Sequence, residues 1–207
     1  MPDDPYAGFP AGFFDRVDEG PDAVFYRPPR LVTHIDDGAI AAVGRLYRQL
    51  DVTGRVLDLM ASWVSHFEEP PRELTVLGMN TVELEHNAMA TGRVVHDLNA
   101  HPALPFPDRR FDDATCCVSV DYLVHPIEVF SEVARVLEPG GRFVCTFSNR
   151  CFPTKAIRGW LAGSDDDHCA LVAEYFRRSG GWGEARVARP DLTAPGDPLY
   201  GVWARRR

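Results

Sequence analysis

Four polar residues stand at or just beyond the ends of short apolar runs. RVLDLM (55–60) carries Asp58, LTVLGM (74–79) runs into Asn80, RVVHDL (93–98) carries Asp97, and DATCCVSV (113–120) holds Ser119. A carboxylate or amide placed where a buried strand ends can hydrogen-bond a polar ligand, and a carboxylate left unpaired there is costly to bury. The first run raises a specific question. A strand ending in a carboxylate often leads into a glycine-rich turn whose bare backbone admits a nucleotide. Here Met60, Ala61, Ser62 and Trp63 follow Asp58 with no glycine among them. Ser62 and Ser65 offer hydroxyls where a glycine turn would offer amides. Trp63 brings a large apolar face and an N–H in need of a partner. If glycine is absent because the turn needs no positive φ, Met60 to Trp63 should show negative φ angles. Ordinary structural roles compete for the same residues. Asp58 could cap a helix, Asp97-Leu98-Asn99 could form an Asx turn, and Met79 could be plain core.

These residues need a scaffold, and the pattern around them supplies one. GAIAAVGRLYRQL (38–50) spaces Ile40, Val43, Leu46, Tyr47 and Leu50 as one helix face, with Asp36 or Asp37 as its cap. The apolar runs near 55–59, 74–79, 93–96, 113–120 and 141–148 have the length and β-branched content of buried strands. PIEVFSEVARVLEPGG predicts a helix with Val129, Val133, Val136 and Leu137 on one face, opened by Pro126 and stopped by Gly140-Gly141. A further helix is expected over about 166–178. ARVARP and LYGVWA read as closing strands separated by DLTAPGDP. Strands alternating with helices imply an α/β fold, a mostly parallel sheet with helices on both faces and an antiparallel strand near the C-terminus. The first strand should lie between the second and the fourth. Residues 1–33, rich in Pro, Gly and aromatics, read as an arm; the chain divides into an arm, 1–37, and an α/β domain, 38–207.

Composition excludes several functions. Of the 207 residues 45% are apolar and 25% charged, ordinary values for a globular chain. A net charge of −8 argues against nucleic-acid binding, which needs clustered cations; Arg205-Arg206-Arg207 reads as a solvated tail. No run approaches the roughly 18 apolar residues of a membrane span. The acidic, Pro-containing start MPDDPYAGFP is unlike a signal peptide, which makes the cytoplasm the expected location. Five scattered cysteines without a CxxC indicate neither a disulfide framework nor a metal site, and Cys116-Cys117 reads as buried thiols.

Over roughly residues 38–150 the sequence resembles the class I S-adenosylmethionine-dependent methyltransferases, of the type 11-like kind. LPFPDRRFDDATCCVSVDYLVHPIEVFSEVARVLEPGGRFVCTFSN carries the likeness best, with Phe111-Asp112 before the fourth strand and Leu137, Pro139, Gly140 and Gly141 before the fifth. The resemblance implies a Rossmann-like methyltransferase fold with S-adenosylmethionine as cofactor. Asp58 matches the family's acidic residue at the end of the first strand. Met60 and Ser62 stand where its Gly-x-Gly turn meets the methionine part of the cofactor. Asn80, after Met79, replaces the acidic residue that holds the ribose, and Glu83 is close enough to reach back. Asp97 matches the residue that receives the adenine amino group, with Leu98 as a backbone donor, and Ser119 falls beyond the fourth strand. The adenine end matches, the ribose end is altered, and the methionine end departs most, which leaves open that the cofactor has been lost.

In this family the arm and the loops after strands four and five usually form the substrate pocket. Here FYRPPRLVTHIDD, VDYLVHP and SNRCFPTKAIRGW offer Tyr26, Arg30, His34, Asp121, Tyr122, His125, Asn149, Arg150 and Lys155. Catalytic roles are assigned to His34, as general base, and to Tyr26, Arg30, Tyr122, Asn149 and Arg150. Arg27, Arg30, Arg150, Lys155 and Arg158 are many cations for an acidic chain. Either a carboxylate or phosphate on a small-molecule substrate accounts for them, or they pair with Asp36, Asp37 and the acidic run 165–167. The expected function is S-adenosylmethionine-dependent methylation of a small metabolite. The alternatives are a methyltransferase-fold enzyme of secondary metabolism doing elimination or cyclisation, and a non-catalytic member that binds a protein partner.

Overall fold

The computed structural model describes residues 4–192 and 196–207. Seven strands form one sheet: β1 (Arg55–Leu59), β2 (Glu73–Gly78), β3 (Gly92–Val95), β4 (Phe111–Cys117), β5 (Leu137–Phe147), β6 (Arg186–Ala188) and β7 (Tyr200–Arg205), in the order β3-β2-β1-β4-β5-β7-β6. β1 lies between β2 and β4 and is parallel to both. β7 pairs antiparallel with β5 and β6. Residues 193–195 of the DLTAPGDP connection lie outside the described residues.

The period-2 alternation of the strands divides the core into two layers. Leu57, Leu59, Phe143, Cys145 and Phe147 point to one face, Val56, Leu74, Val76 and Val144 to the other. α2 (Asp37–Gln49) covers the second face with Ala42, Val43, Leu46 and Tyr47, and Asp36 is its cap, accepting from the Ala39 amide. α4 (Pro126–Val136) and α6 (Asp165–Ser179) cover the first face with Phe130, Val133, Val172, Tyr175 and Phe176. Three short helices complete the set: α1 (Asp22–Phe25), α3 (Thr81–His86) and α5 (Arg158–Leu161).

Two boundaries differ from the sequence expectation. Helix α4 stops at Val136, and Leu137 already has extended φ/ψ and pairs with Phe111. The LEPGG segment is therefore the start of β5. Gly140 takes φ +85°, and a Cβ at Gly141 would lie 2.4 Å from the Asp112 carbonyl, so the glycines serve a bulged strand pairing. β4 ends at Cys117 because Val118 holds φ +46°, which no regular strand tolerates.

The segment before α2 runs against the chain that follows β5. Arg158 and Gly159 donate to the carbonyls of Asp15 and Phe13 at 2.8 and 2.9 Å, and Phe9, Phe13 and Phe14 pack on the first core layer. Buried charges fasten the same contact. Asp22 accepts from Arg16 at 2.7 and 2.8 Å and lies 3.0 Å from the ammonium of Lys155, which is 0% exposed.

Candidate functional site

A cavity of about 270 Å³ opens at the carboxyl ends of β1, β2, β3 and β4. That is the edge where parallel α/β sheets bind ligands, next to the switch in strand order between β1 and β4. The volume is close to the lower bound of small-molecule pockets. Thirteen of the fourteen residues singled out in the sequence line it: Tyr26, Arg30, His34, Asp58, Met60, Ser62, Met79, Asn80, Asp97, Leu98, Ser119, Tyr122 and Arg150. Asn149 does not. It faces solvent one residue beyond the buried Ser148, whose hydroxyl donates to it at 3.3 Å.

The glycine-free turn keeps a glycine-like backbone at its first position. Met60 has φ +53°, against the expectation of negative φ through Met60 to Trp63; the other three residues of the stretch follow it. The turn must bend sharply because it lies across the end of β2. The Ala61 amide donates to the Leu77 carbonyl at 2.9 Å, and a Cβ on Gly78 would sit 2.1 Å from the Ala61 carbonyl oxygen. Side chains then brace the loop. Asn87, 0% exposed, donates to the Ser62 carbonyl at 3.1 Å and to the Ser65 hydroxyl at 2.9 Å. Ser65 donates onward to Asp58 at 2.6 Å, and Thr115, the register partner of Asp58 on β4, donates to its other oxygen at 2.7 Å. Asp58 is 5% exposed and among the described residues pairs with no cation, so burial pushes its pKa up to about 6 despite the two hydroxyl donors. Thr115 and Asn87 were not singled out from the sequence, whereas Ser65 was, as a hydroxyl beside the turn. The signal for Thr115 was a lone polar residue in the apolar stretch 114–118.

At the end of β2, Asn80 caps α3 by accepting from the Glu83 amide at 3.2 Å, and its two amide protons go to the carbonyls of Tyr26 and Arg27 at 2.8 and 3.0 Å. Glu83 also lines the cavity. Its carboxylate accepts from the Ser62 hydroxyl at 2.6 Å and from the Arg30 amide at 2.7 Å. The Trp63 indole N–H donates to the Val32 carbonyl at 3.0 Å. Residues 26–32 are thus fastened to both the turn after β1 and the start of α3. At the end of β3, Asp97 accepts from the amides of Asn99 and Ala100 at 3.0 and 3.1 Å, an Asx turn, and also borders the cavity.

Cations of these loops find partners other than Asp36, Asp37 and the run 165–167. Lys155 is bound to Asp18 and Asp22, Arg150 donates to Asp197, and Arg158 pairs with Asp15; among the described residues none of them pairs with Asp36, Asp37 or 165–167. Among the described residues Arg30 has no carboxylate in ion-pair range. Its guanidinium donates to the Phe25 carbonyl at 2.9 Å and lies 4.6, 5.5 and 5.8 Å from the ring centres of Phe25, Phe152 and Tyr26. Tyr122 accepts from the Phe152 amide at 2.8 Å, holding the segment after β5. His34 sits at the mouth, its ring 5.3 Å from that of Phe152, and desolvation lowers its pKa. His66, not singled out from the sequence, lines the same wall and is lowered by burial and by His34. His125 is exposed at the start of α4, and Asp121 is buried outside the cavity with its pKa pushed up to about 8 by desolvation.

The fold is that of the class I S-adenosylmethionine-dependent methyltransferases, and the cavity lies at the strand ends where such a sheet binds its ligand. Residues 52–145 match the family model of the methyltransferase domain. The chain is 32% identical over 152 residues to the ubiquinone/menaquinone biosynthesis C-methyltransferase UbiE of Methylobacterium nodulans, covering 65% of this chain and 60% of that one. It therefore spans less than two thirds of that relative's length. Its fold matches that of a methyltransferase from Thermotoga maritima with a TM-score of 0.59, 15% identity and coverage of 82% of this chain and 91% of that one. It matches the [4+2]-cyclase SpnF with a TM-score of 0.59, 14% identity and coverage of 86% and 89%. Among the described residues no group of three or more His, Cys, Asp or Glu is placed to hold a metal, and no helix is long and apolar enough to cross a membrane.

Proposed function

We propose that this chain transfers a methyl group from S-adenosylmethionine to a small, anionic molecule. The observation that carries the reading is the single cavity joining Asp58, Glu83 and Asp97, acidic residues beside the ends of three successive strands of the sheet. The residues present fit the cofactor. Met60 keeps the backbone bend that the family obtains from glycine, Asp58 supplies a buried anion for the cationic methionine end, and Asp97 keeps one carboxylate oxygen outside its Asx turn for the adenine end. The sulfonium methyl, when bound, supplies an electrophile that needs only an aligned nucleophile.

The chain's own residues provide alignment and proton removal. Arg30, held over three aromatic rings without a carboxylate partner, orients an anionic or planar electron-rich substrate. Tyr26, Tyr122 and Phe152 form the adjoining wall. His34, its basicity lowered by desolvation, is neutral near pH 7 and accepts a proton at one imidazole nitrogen. Of the arm proposed over 1–37, the described residues 4–37 close this side of the cleft, and the cytoplasm remains the expected location. The elimination or cyclisation reading has the fold of SpnF behind it, and the non-catalytic reading has a neighbour in complex with a methyltransferase activator from Haloferax volcanii; both likenesses concern fold alone.

Titration calorimetry with S-adenosylmethionine and S-adenosylhomocysteine tests the proposal. Saturable binding of both is expected. Absence of heat with either ligand over the range where the protein stays folded would exclude it.

A further inference from the structure

We infer that Glu83, on the first turn of α3, is the carboxylate that takes the ribose hydroxyls of the cofactor, in place of the residue at the end of β2. This deepens the proposed function and rests on it.

The position at the end of β2 is spent. Asn80 gives both amide protons to the carbonyls of Tyr26 and Arg27 and lends its oxygen to the Glu83 amide. A diol offers two O–H donors and is bound best by an ionised acceptor. Four carboxylates border the cavity: Asp22, Asp58, Glu83 and Asp97. Asp22 is neutralised by Arg16 and Lys155 and also accepts from Asn99. Asp58 sits beside β1, each oxygen taken by a buried hydroxyl. Asp97 belongs to the loop after β3. Glu83 alone stands beside the end of β2, three residues beyond Asn80 and directly behind the turn that carries Ser62.

Its surroundings suit an acceptor held ready. The residue is 9% exposed and no cation pairs with it among the described residues, so its charge is not consumed. One oxygen accepts from the Ser62 hydroxyl, the other from the Arg30 amide. A carboxylate has about four lone-pair sites, so one on each oxygen is left for a diol. Because the Arg30 amide shares this carboxylate, the ribose subsite and the substrate-side wall are tied to one group.

The test is calorimetric binding of S-adenosylhomocysteine and its 2′-deoxyribose analogue to the full chain, as wild type, Glu83→Gln and Asn80→Ala. The wild type should prefer the ribose form by roughly tenfold or more, the usual value of a hydrogen bond to a charged group. Glu83→Gln should bind both forms almost equally, whereas Asn80→Ala should keep the preference even if its overall affinity falls. Glu83→Asp, which withdraws the carboxylate by one methylene, should likewise lose the preference and serves if the Gln variant does not fold. An undiminished ribose preference in the folded Glu83 variants overturns the assignment while leaving the methyltransferase reading intact. Loss of the preference in Asn80→Ala but not in Glu83→Gln returns the ribose to the end of β2. Failure of the wild type to bind either ligand overturns the assignment together with the proposed function.

Discussion

Met60 and Val118 hold φ angles of +53° and +46° one residue beyond β1 and β4, two strands paired side by side, and both border the same cavity. Each costs on the order of 1–2 kcal/mol relative to an ordinary backbone. Val118 is β-branched, which makes its conformation the rarer of the two. Its amide donates to the Thr146 carbonyl at 2.7 Å, so the pairing of β4 with β5 helps hold the bend. Strain of this kind persists where surrounding structure imposes it, and here both strained residues line the cavity.

Replacing Met60 by glycine separates strain from packing. Truncating a buried Met usually costs about 2–5 kcal/mol. Met60 is only partly buried, and glycine would relieve about 1–2 kcal/mol of left-handed strain. The stability of Met60→Gly should therefore stay within about 1 kcal/mol of wild type by urea denaturation, and S-adenosylhomocysteine should bind more tightly. A loss above about 2 kcal/mol would show that the Met60 side chain, not its backbone, defines the turn.

The arm contact offers an asymmetric test. Lys155→Ala leaves Asp22 with Arg16, whereas Asp22→Ala strands the buried Arg16 and leaves the buried Lys155 with the half-exposed Asp18 as its only carboxylate among the described residues. Breaking a buried ion pair by removing one partner costs about 3–5 kcal/mol. Asp22→Ala should fall in that range and exceed Lys155→Ala, with faster proteolysis within residues 4–33. Equal, small losses would mean that the arm is held by Phe9, Phe13 and Phe14 alone.

Much of this was legible in the sequence, for identifiable reasons. Strand periodicity and the Asp36 cap carry local information, so β1, α2 and the position of β1 in the sheet agree with expectation. The LEPGG segment misled because Leu137 continues the apolar spacing of α4; only its pairing with Phe111 decides that it is strand. The site residues lie at strand ends, and strand ends converge once the sheet is parallel. Lys155 and Asn87 were illegible in their roles because their partners, Asp22 and Ser62–Ser65, are far off in sequence and brought close only by the fold. Asn149 and Arg150 are neighbours that sequence alone could not divide between solvent and cavity.

Asp58 predicts a pH dependence of stability. Burial raises its folded pKa to about 6, above the usual carboxylate value of about 3.9 in an unfolded chain. A raised acid binds its proton more tightly when folded. Its contribution is therefore complete below about pH 4 and is lost as pH rises through 6. A shift of about two units corresponds to about 3 kcal/mol. Asp58→Asn should flatten the stability profile between pH 4 and 7 in urea titrations. An unchanged slope would mean that the carboxylate is compensated by groups other than Ser65 and Thr115.

Asp97 forms a turn and is proposed to bind adenine, and one pair of substitutions divides the two. Its Oδ1 accepts from Asn99 and Ala100, a purely local turn, and Asn can make the same bonds. Its other oxygen is the acceptor proposed for the adenine amino group, and in Asn that atom becomes an NH₂ donor facing another donor. Asp97→Asn should thus keep the fold and its melting temperature while weakening S-adenosylhomocysteine binding by about 1–3 kcal/mol, the cost of a buried donor left unpaired. Asp97→Ala should lose the same affinity and some stability as well, because the turn goes with it. If Asp97→Asn binds the ligand as the wild type does while Asp97→Ala is only less stable, the residue is a turn former and the adenine rests on other groups. Calorimetry on both variants beside their thermal denaturation curves decides between the two.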